Sequence, residues 1–280
     1  MTKSEERKKR KEQFKRFLKR NMTPTWAKRF SYQVVAFLIS VSMVVGVVAY
    51  AFNKTYDERE LKFVHGFTIT AHTGAYDTPD NTMESLETAI ANNADVFEID
   101  IRQRPNGTIV MSHDIINTNN DGVEIEKVFE RVKQTDMRLN LDIKETRVLK
   151  SLHELIIKYS LADRVELTGI EVFQADKVKE NCPGVVYYIN YMPSRINIFT
   201  EEYQKKLIEM LEKTGAVGIN CNYKYASRTL SALLHNNGYK LSIWTVDKKY
   251  QIKRALINSP DNITTHYPDK IETTISRWGR

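Results

Sequence analysis

Short β-type runs alternate with amphipathic helical patterns from residue 67 onward. Such alternation is typical of βα units around a parallel sheet. Nine runs have the length and composition of strands, namely 67–72, 95–102, 108–114, 138–143, 164–168, 185–190, 216–221, 240–245 and 261–265. Helical patterns lie between several of them, at 81–93, 146–159, 201–214 and 228–237. The sequence therefore predicts an α/β domain.

The second and third runs are separated by only about five residues, which is too few for a crossover between parallel strands. The dipeptide Asn106-Gly107 between them is favoured in type I′ turns. We therefore expect an antiparallel hairpin, in which a turn at these two residues places Asp100 opposite His113.

Without the returning strand, eight parallel candidates remain in about 215 residues, close to the size of a compact (β/α)8, or TIM, barrel. An open doubly wound sheet is the alternative architecture. That sheet often carries a glycine-rich phosphate loop after its first strand, and no such loop follows 67–72. We therefore predict the barrel.

The net charge of +7 belongs to the N-terminus and not to this domain. Residues 1–31 contain 12 Lys and Arg against 3 Asp and Glu, whereas residues 53–280 contain 30 basic and 32 acidic side chains. The near-neutral domain gives no support for a nucleic-acid-binding surface. Two cysteines exclude a disulfide scaffold and a four-thiolate zinc site.

The segment 34–52 contains 19 residues without a charge. As a helix it is about 28 Å long, which matches a hydrocarbon core of about 30 Å. The basic residues before it predict a cytoplasmic N-terminus and an extracellular domain on the cell membrane. The expected organisation is a basic cytoplasmic tail, a transmembrane helix, a linker and the barrel, at 1–31, 32–53, 54–66 and 67–280.

A cleaved secretory signal is the alternative, because Ala49-Tyr50-Ala51 has the small-x-small form of a cleavage site. The apolar run is longer than the usual signal core, which favours the anchor, and both alternatives export the domain. The basic run KKRKEQFKRFLKR forms either an amphipathic helix on anionic lipid or a solvated segment. Cys182 and Cys221 are either paired or buried as thiols.

Polar residues cluster where the predicted strands end, which is the catalytic face of a barrel. Glu98 and Asp100 share one face of their strand, because side chains alternate with period two. Asp142 ends the next barrel strand. A single carboxylate at a strand end is usually a surface group, but three together suit one hard divalent cation, Ca²⁺ or Mg²⁺.

Two histidines accompany these carboxylates. His72 ends the first strand, and His113 ends the returning strand of the hairpin. A lone histidine is usually structural, whereas two beside a metal-bound phosphodiester supply a general acid and a general base. Lys144 offers a positive charge toward phosphate, or else a simple ion pair with a neighbouring carboxylate.

The run AHTGAYDTPDNTMESLETAIANNADVFEIDIRQRPNGTIVMSHD resembles the start of the glycerophosphodiester phosphodiesterase family. That family has AHRG, then PENT before a helix, then E-x-D, a D-G or N-G turn, and H-D. The later segments LNLDIK, LSIWTVD and NITTHYP are similar to its E-x-K, W-T-V-N and I-T-D-x-P segments. The resemblance covers about residues 67–268.

The resemblance implies a barrel that hydrolyses phosphodiesters with a divalent metal. The matching positions are His72 and His113 for the acid and base, Glu98, Asp100 and Asp142 for the metal, Lys144 for phosphate, Trp244 for the alcohol, and Asn81 near the site. Three positions depart from the family: Thr73 replaces an arginine, Asp80 a glutamate and Asp142 a glutamate. Thr73 removes a bidentate phosphate ligand, which leaves substrate identity open.

The sequence as a whole predicts an exported, membrane-anchored, metal-dependent phosphodiesterase. Its expected substrates are glycerophosphodiester groups of phospholipids or teichoic-type surface polymers. The alternatives are a phospholipase that forms a cyclic phosphate and a catalytically weak barrel that binds surface polymers. Oligomeric state is not indicated by the sequence.

Overall fold

The computed structural model describes residues 3–21, 23–57 and 59–279. They separate into two compact units that divide between residues 58 and 59. The first unit contains two helices, α1 at Lys3–Asn21 and α2 at Pro24–Asp57. Each unit is considered by itself below.

Helix α2 contains the one candidate membrane span among the described residues, Pro24–Ala51. Its most apolar 18-residue window has a mean hydropathy of 2.5, and none of that window is buried against protein. The helix extends beyond the predicted 32–53 segment at both ends. A signal sequence near the N-terminus also passes this test of length and composition.

The second unit is a closed barrel of eight parallel strands with helices between them, as the sequence predicts. Its barrel strands are β1 Thr68–Ala71, β2 Val96–Gln103, β5 Arg138–Ile143, β6 Val165–Ile170, β7 Val186–Asn190, β8 Gly218–Asn222, β9 Lys240–Trp244 and β10 Asn262–Thr265. The barrel closes where β1 pairs with both β10 and β2. Two short strands, β3 Ile109–Met111 and β4 Val123–Glu124, extend β2 as an antiparallel flap.

Eight helices of this unit follow the strands. They are α3 Met83–Ala91, α4 Ile125–Val132, α5 Leu149–Lys158, α6 Ala175–Asn181, α7 Glu201–Thr214, α8 Arg228–Asn236, α9 Lys249–Leu256 and α10 Pro268–Ser276. All nine predicted strands and all four predicted helical segments are confirmed. The predicted segments do not include the two-residue strand β4 or the four helices α4, α6, α9 and α10.

The predicted hairpin is antiparallel, but its predicted register is wrong by one residue. Arg102 pairs with Val110, and the N–H of Ser112 donates to the Asp100 carbonyl at 3.0 Å, so Ser112 and not His113 lies opposite Asp100. The turn contains three residues and begins with Pro105, after which Gly107 has a φ of +93°. Proline has no N–H for the ladder and suits the second position of a type I turn, which displaces the expected two-residue turn.

Side-chain alternation separates the core into two layers. On β2, Phe97, Ile99 and Ile101 are fully buried beneath the helices, and Glu98 and Asp100 face the barrel interior. The same separation holds on the other barrel strands, so apolar burial stabilises the helix layer and polar groups collect inside. The two cysteines are buried and free.

Candidate active site

A cavity of about 360 Å³ opens at the C-terminal ends of the barrel strands. Because all eight strands are parallel, their last residues meet at this mouth. Thirteen residues line it: His72, Glu98, Asp100, His113, Asn140, Asp142, Lys144, Thr168, Asn190, Asn220, Trp244, Thr245 and Thr264. Seven of the eight residues predicted for the site are among them, and Asn81 lies behind the wall, hydrogen-bonded to Asp100.

Three carboxylates form the acidic part of the cavity. Glu98 and Asp100 come from β2, and Asp142 lies beside Asp100 on the neighbouring strand β5. One oxygen of each lies within 4.8 Å of the others. Glu98 and Asp100 are buried, and Asp142 is partly exposed. This arrangement concentrates negative charge at one point of the mouth.

Lys144 joins two of these carboxylates. Its Nζ lies 2.7 Å from Asp100 Oδ1 and 2.5 Å from Asp142 Oδ2. Burial lowers the pKa of Lys144, but the charge of Asp142 and the hydrogen bonds to both carboxylates outweigh that effect, so its pKa is raised. The lysine therefore remains a cation and partly neutralises the acidic group.

The surroundings of Glu98 destabilise its ionised form. Its burial raises the pKa of the carboxyl to about 7, and the nearby Asp100 and Asp142 add to this effect, although His72 opposes it. A cation among the three carboxylates would relieve this repulsion. Three oxygen donors of this kind fit a hard divalent ion such as Ca²⁺ or Mg²⁺.

The ring of His72 is oriented by its own backbone surroundings. Its Nδ1 lies 2.7 Å from the Thr73 carbonyl oxygen, which only accepts, so Nδ1 carries a proton. Nε2 then faces the cavity, 3.6 Å from Glu98 Oε2. Burial lowers the pKa of His72, but the charge of Glu98 and the hydrogen bond to Thr73 raise it more, so the pKa is raised overall.

His113 reaches the same cavity from the flap that β3 and β4 form. Its side chain is 72% exposed, and Nδ1 lies 3.0 Å from Asp114 Oδ1. Arg102 Nε donates to the His113 carbonyl at 2.8 Å and holds the backbone of this turn. The two histidines therefore have different surroundings: one is mostly buried against a carboxylate, and the other is open to solvent.

Thr73, at the position where the resembled family has an arginine, is buried and stabilises the loop after β1. Its hydroxyl accepts the Asn81 backbone N–H at 2.5 Å, and its own N–H donates to Glu98 at 3.2 Å. Asn81 has a φ of +54°, and its side chain donates to Asp100 at 2.8 Å and accepts the Asp100 N–H at 3.1 Å. Thr73 and Asn81 thus hold the carboxylates in place.

Uncharged side chains form the other part of the mouth. Asn190 Oδ1 accepts the Gly169 N–H at 3.2 Å, which fixes the orientation of the Asn190 amide. Asn220 must therefore direct its Nδ2 toward Asn190, at 2.9 Å. Thr168 donates to Asn140 at 2.7 Å in the same wall. Asn220 Oδ1 and the Trp244 indole N–H have no hydrogen-bond partner within the described residues.

The sequence analysis assigns no role to His266 or to its partner Asp247, although His266 directly follows strand β10. The His266 ring lies 4.4 Å from the His72 ring, and its Nδ1 lies 3.0 Å from Asp247 Oδ2. Burial raises the pKa of Asp247, but the hydrogen bonds from His266 lower it by more. The pKa of Asp247 is therefore lowered overall, and its carboxylate form is stabilised. The pair packs against His72 because β10 closes the barrel beside β1.

The fold and this mouth define a (β/α)8-barrel protein whose cavity contains three carboxylates, a lysine and two histidines. No family model matches the chain. A glycerophosphodiester phosphodiesterase of Caldanaerobacter subterraneus subsp. tengcongensis is 25% identical over 251 residues, covering 75% of this chain and 98% of the relative.

Solved structures share the barrel. A glycerophosphodiester phosphodiesterase from Parabacteroides distasonis matches with a TM-score of 0.63 and 18% identity, over 77% of this chain and 99% of that one. An Oleispira antarctica phosphodiesterase in complex with the product sn-glycerol-3-phosphate matches with a TM-score of 0.59 and 18% identity, over 81% and 99%. The chain is thus similar in sequence to a glycerophosphodiester phosphodiesterase and shares the barrel fold of these solved structures.

Proposed function

We propose that this protein is an exported, membrane-anchored, metal-dependent phosphodiesterase that cleaves glycerophosphodiester bonds. The supporting observation is the single cavity in which three carboxylates, Lys144 and two histidines meet. In this proposal, residues 1–31 are cytoplasmic, 32–53 span the membrane, 54–66 form the linker, and 67–280 form the catalytic barrel outside the cell.

Glu98, Asp100 and Asp142 would hold one divalent ion, Ca²⁺ or Mg²⁺. A bound ion of this kind supplies positive charge that stabilises the developing charge on phosphate. The chain's own contribution is to fix the ligands. Asn81 holds Asp100 through two hydrogen bonds, and the Thr73 N–H holds Glu98.

The two histidines handle the protons. His72 presents Nε2 to the cavity, since its Nδ1 proton is engaged by the Thr73 carbonyl. His113 lies on the flap formed by β3 and β4, and its side chain is exposed to solvent. One removes a proton from the attacking hydroxyl or water, and the other protonates the leaving alkoxide. Lys144 adds positive charge toward the phosphate.

The uncharged wall suits the alcohol part of the diester. Trp244, Asn190 and Asn220 line this wall. An uncharged polyol such as glycerol is both a donor and an acceptor, and it matches this wall better than an ion does. Since the barrel is expected outside the membrane, lipid head groups and teichoic-type polymers are the substrates of interest.

The test is release of alcohol and phosphomonoester from a panel of glycerophosphodiesters, lipids and surface polymers by the full chain in detergent. We expect turnover with Ca²⁺ or Mg²⁺, loss on chelation, and a fall of about 10³-fold in His72→Ala. The matched control is His153→Ala, since His153 lies on α5 outside the cavity.

Equal activity of wild type and His72→Ala would reject the proposed chemistry. Absence of turnover on the whole panel, with intact binding of a divalent ion, would favour a binding role. Product analysis distinguishes hydrolysis from the phospholipase reaction that forms a cyclic phosphate, because closure of the phosphate ring releases the alcohol without consuming water.

A further inference from the structure

A third histidine packs against His72 at the barrel mouth. His266 directly follows β10, and its ring centroid lies 4.4 Å from that of His72, with 46° between the ring planes. The described residues that line the cavity include His72 and do not include His266. His266 therefore contacts the ring of His72 without forming part of the cavity wall.

The ring of His72 has one hydrogen bond to fix its orientation. Its Nδ1 donates to the carbonyl of the next residue, Thr73. Its Nε2 lies 3.6 Å from Glu98 Oε2, which is too long for a hydrogen bond. A single hydrogen bond fixes one ring atom and leaves the ring able to tilt about it. Packing against His266 supplies a second constraint.

The His266 ring is itself held by Asp247, which lies in the loop after β9. Asp247 Oδ2 lies 3.0 Å from His266 Nδ1, and a carboxylate only accepts, so Nδ1 carries the proton. Asp247 Oδ1 accepts the His266 backbone N–H at 2.9 Å and the Thr265 hydroxyl at 3.1 Å. These three hydrogen bonds fix both the backbone and the ring of His266.

Backbone hydrogen bonds also join the loops that carry the two histidines. The His72 N–H donates to the Thr265 carbonyl at 2.9 Å, and the His266 carbonyl accepts the Tyr76 N–H at 3.0 Å. The strands before these loops, β1 and β10, pair along their whole length where the barrel closes. The contact between the rings is therefore set by the closure of the barrel.

Enzymes that use a histidine for proton transfer commonly orient its ring through a further side chain. We propose that Asp247 and His266 are positioning residues, in which Asp247 fixes the His266 ring and that ring keeps His72 Nε2 directed into the cavity. Neither residue exchanges a proton with the substrate. This inference rests on the proposed function, because that function assigns proton transfer to His72.

The proposal predicts which kinetic constant changes. A tilt of the His72 ring displaces Nε2 from the phosphodiester, and small displacements of a reacting group lower the rate strongly. The three carboxylates and the uncharged wall keep their own hydrogen bonds. Loss of the His266 ring should therefore lower kcat and leave KM and divalent-ion affinity unchanged.

Three substitutions of His266 separate the ring from its hydrogen bond. Alanine removes both, asparagine keeps a donor near the position of Nδ1, and phenylalanine keeps an aromatic ring. With the full chain in detergent, we expect kcat to fall about tenfold in His266→Ala and His266→Asn, and to stay within about threefold of wild type in His266→Phe. KM and calorimetric ion affinity should stay within about twofold in all three.

Asp247→Asn tests the second link. The asparagine oxygen still accepts from the Thr265 hydroxyl and the His266 N–H, but its amide nitrogen cannot accept the Nδ1 proton. We expect kcat to fall about threefold, with no further fall when Asp247→Asn is added to His266→Phe, which has no ring N–H. An equal fall in both backgrounds would show that Asp247 does not act through the His266 ring.

A similar pair at the other end of the barrel provides the matched control. His235 Nε2 lies 2.8 Å from Asp261 Oδ2, and Asp261 directly precedes β10, at the end of the strand opposite the mouth. His235→Ala removes a histidine–aspartate pair of the same kind and should leave kcat unchanged. Equal falls of kcat in His235→Ala and His266→Ala would indicate general destabilisation and overturn the proposal.

The orientation of His72 is measurable without any substrate. Nitrogen NMR of the full chain with ¹⁵N-labelled histidine, at a pH where the rings are neutral, reports which ring nitrogen carries the proton. The His72 signals are those lost in His72→Ala. We expect the proton on Nδ1 in the wild type, and a mixture of both tautomers in His266→Ala, because a ring that tilts loses its hydrogen bond to Thr73.

The two measurements decide between the outcomes. An unchanged His72 tautomer in His266→Ala would overturn the proposal, and a fall in kcat at the same time would assign His266 a direct role in the reaction. A change in KM or ion affinity as large as the change in kcat would also overturn it. A changed tautomer in a protein that turns over no diester would reject the proposed function and leave the positioning contact standing.

Discussion

The two sides of the barrel mouth differ in the kind of group they carry. The strands β1, β2 and β5 contribute His72, Lys144 and the three carboxylates, whereas β6 to β9 contribute amides, a hydroxyl and an indole. On the charged side each ionisable group is close to another of opposite sign. On the uncharged side the amides orient one another through Gly169 and Asn190.

We expect the charged side of the mouth to control ion binding and proton transfer, and the uncharged side to control how the substrate fits. Charged groups in a partly buried cavity respond strongly to one another, so small changes there alter pKa values and ion affinity. Neutral amides define shape and hydrogen-bond direction with little long-range effect. We therefore expect substitutions on the charged side to change the rate constant kcat, and substitutions on the uncharged side to change KM.

After His72→Ala, the largest effect is expected for Lys144→Met. Loss of the cation between Asp100 and Asp142 should lower kcat by about 100-fold, because positive charge toward phosphate is lost. The same change should tighten divalent-ion binding several-fold, since the lysine no longer competes for the carboxylates. Steady-state kinetics and calorimetric ion titration measure the two effects.

Lys150→Met is the matched control for this prediction, because Lys150 is exposed on α5. It should leave both quantities unchanged. Weaker ion binding in Lys144→Met would mean that the lysine supports the carboxylates and does not compete with the ion.

The next effect concerns pH. The pKa of Glu98 is raised to about 7, so below that pH its carboxyl is protonated and must lose the proton before it binds a cation. Divalent-ion affinity should therefore weaken by about tenfold for each pH unit below 7 and become constant above pH 7. Calorimetric titration with Ca²⁺ or Mg²⁺ at a series of pH values measures this slope.

Glu98→Gln provides the control for the slope. The amide has no proton to lose, so its weaker ion binding should be nearly independent of pH in this window. The same slope in Glu98→Gln as in the wild type would assign the titration to another group.

The smallest effect is expected on the uncharged side. Asn220→Ala removes the hydrogen bond to Asn190, and one such bond contributes about 1 kcal/mol. We expect KM to rise by about threefold to tenfold with kcat within twofold. Asn236→Ala, at the exposed end of α8, is the control. A large fall in kcat would show that the two sides do not divide their tasks as described.

Much of the scaffold was predictable because its signals are local. Strand runs, helical runs and the alternation that places Glu98 and Asp100 on one face depend on residues close in sequence. The hairpin shows the limit of such reasoning: Asn106-Gly107 suggests a two-residue turn, but Pro105 decides a longer one and moves the register by one residue.

The sequence by itself determined the barrel, the apolar N-terminal segment and the set of polar groups at the strand ends. Only the tertiary structure decided that Lys144 bridges Asp100 and Asp142, that Thr73 supports Asn81, and that His266 packs on His72. The physical reason is that period and composition act within a segment, whereas these contacts arise where barrel closure brings distant strands together.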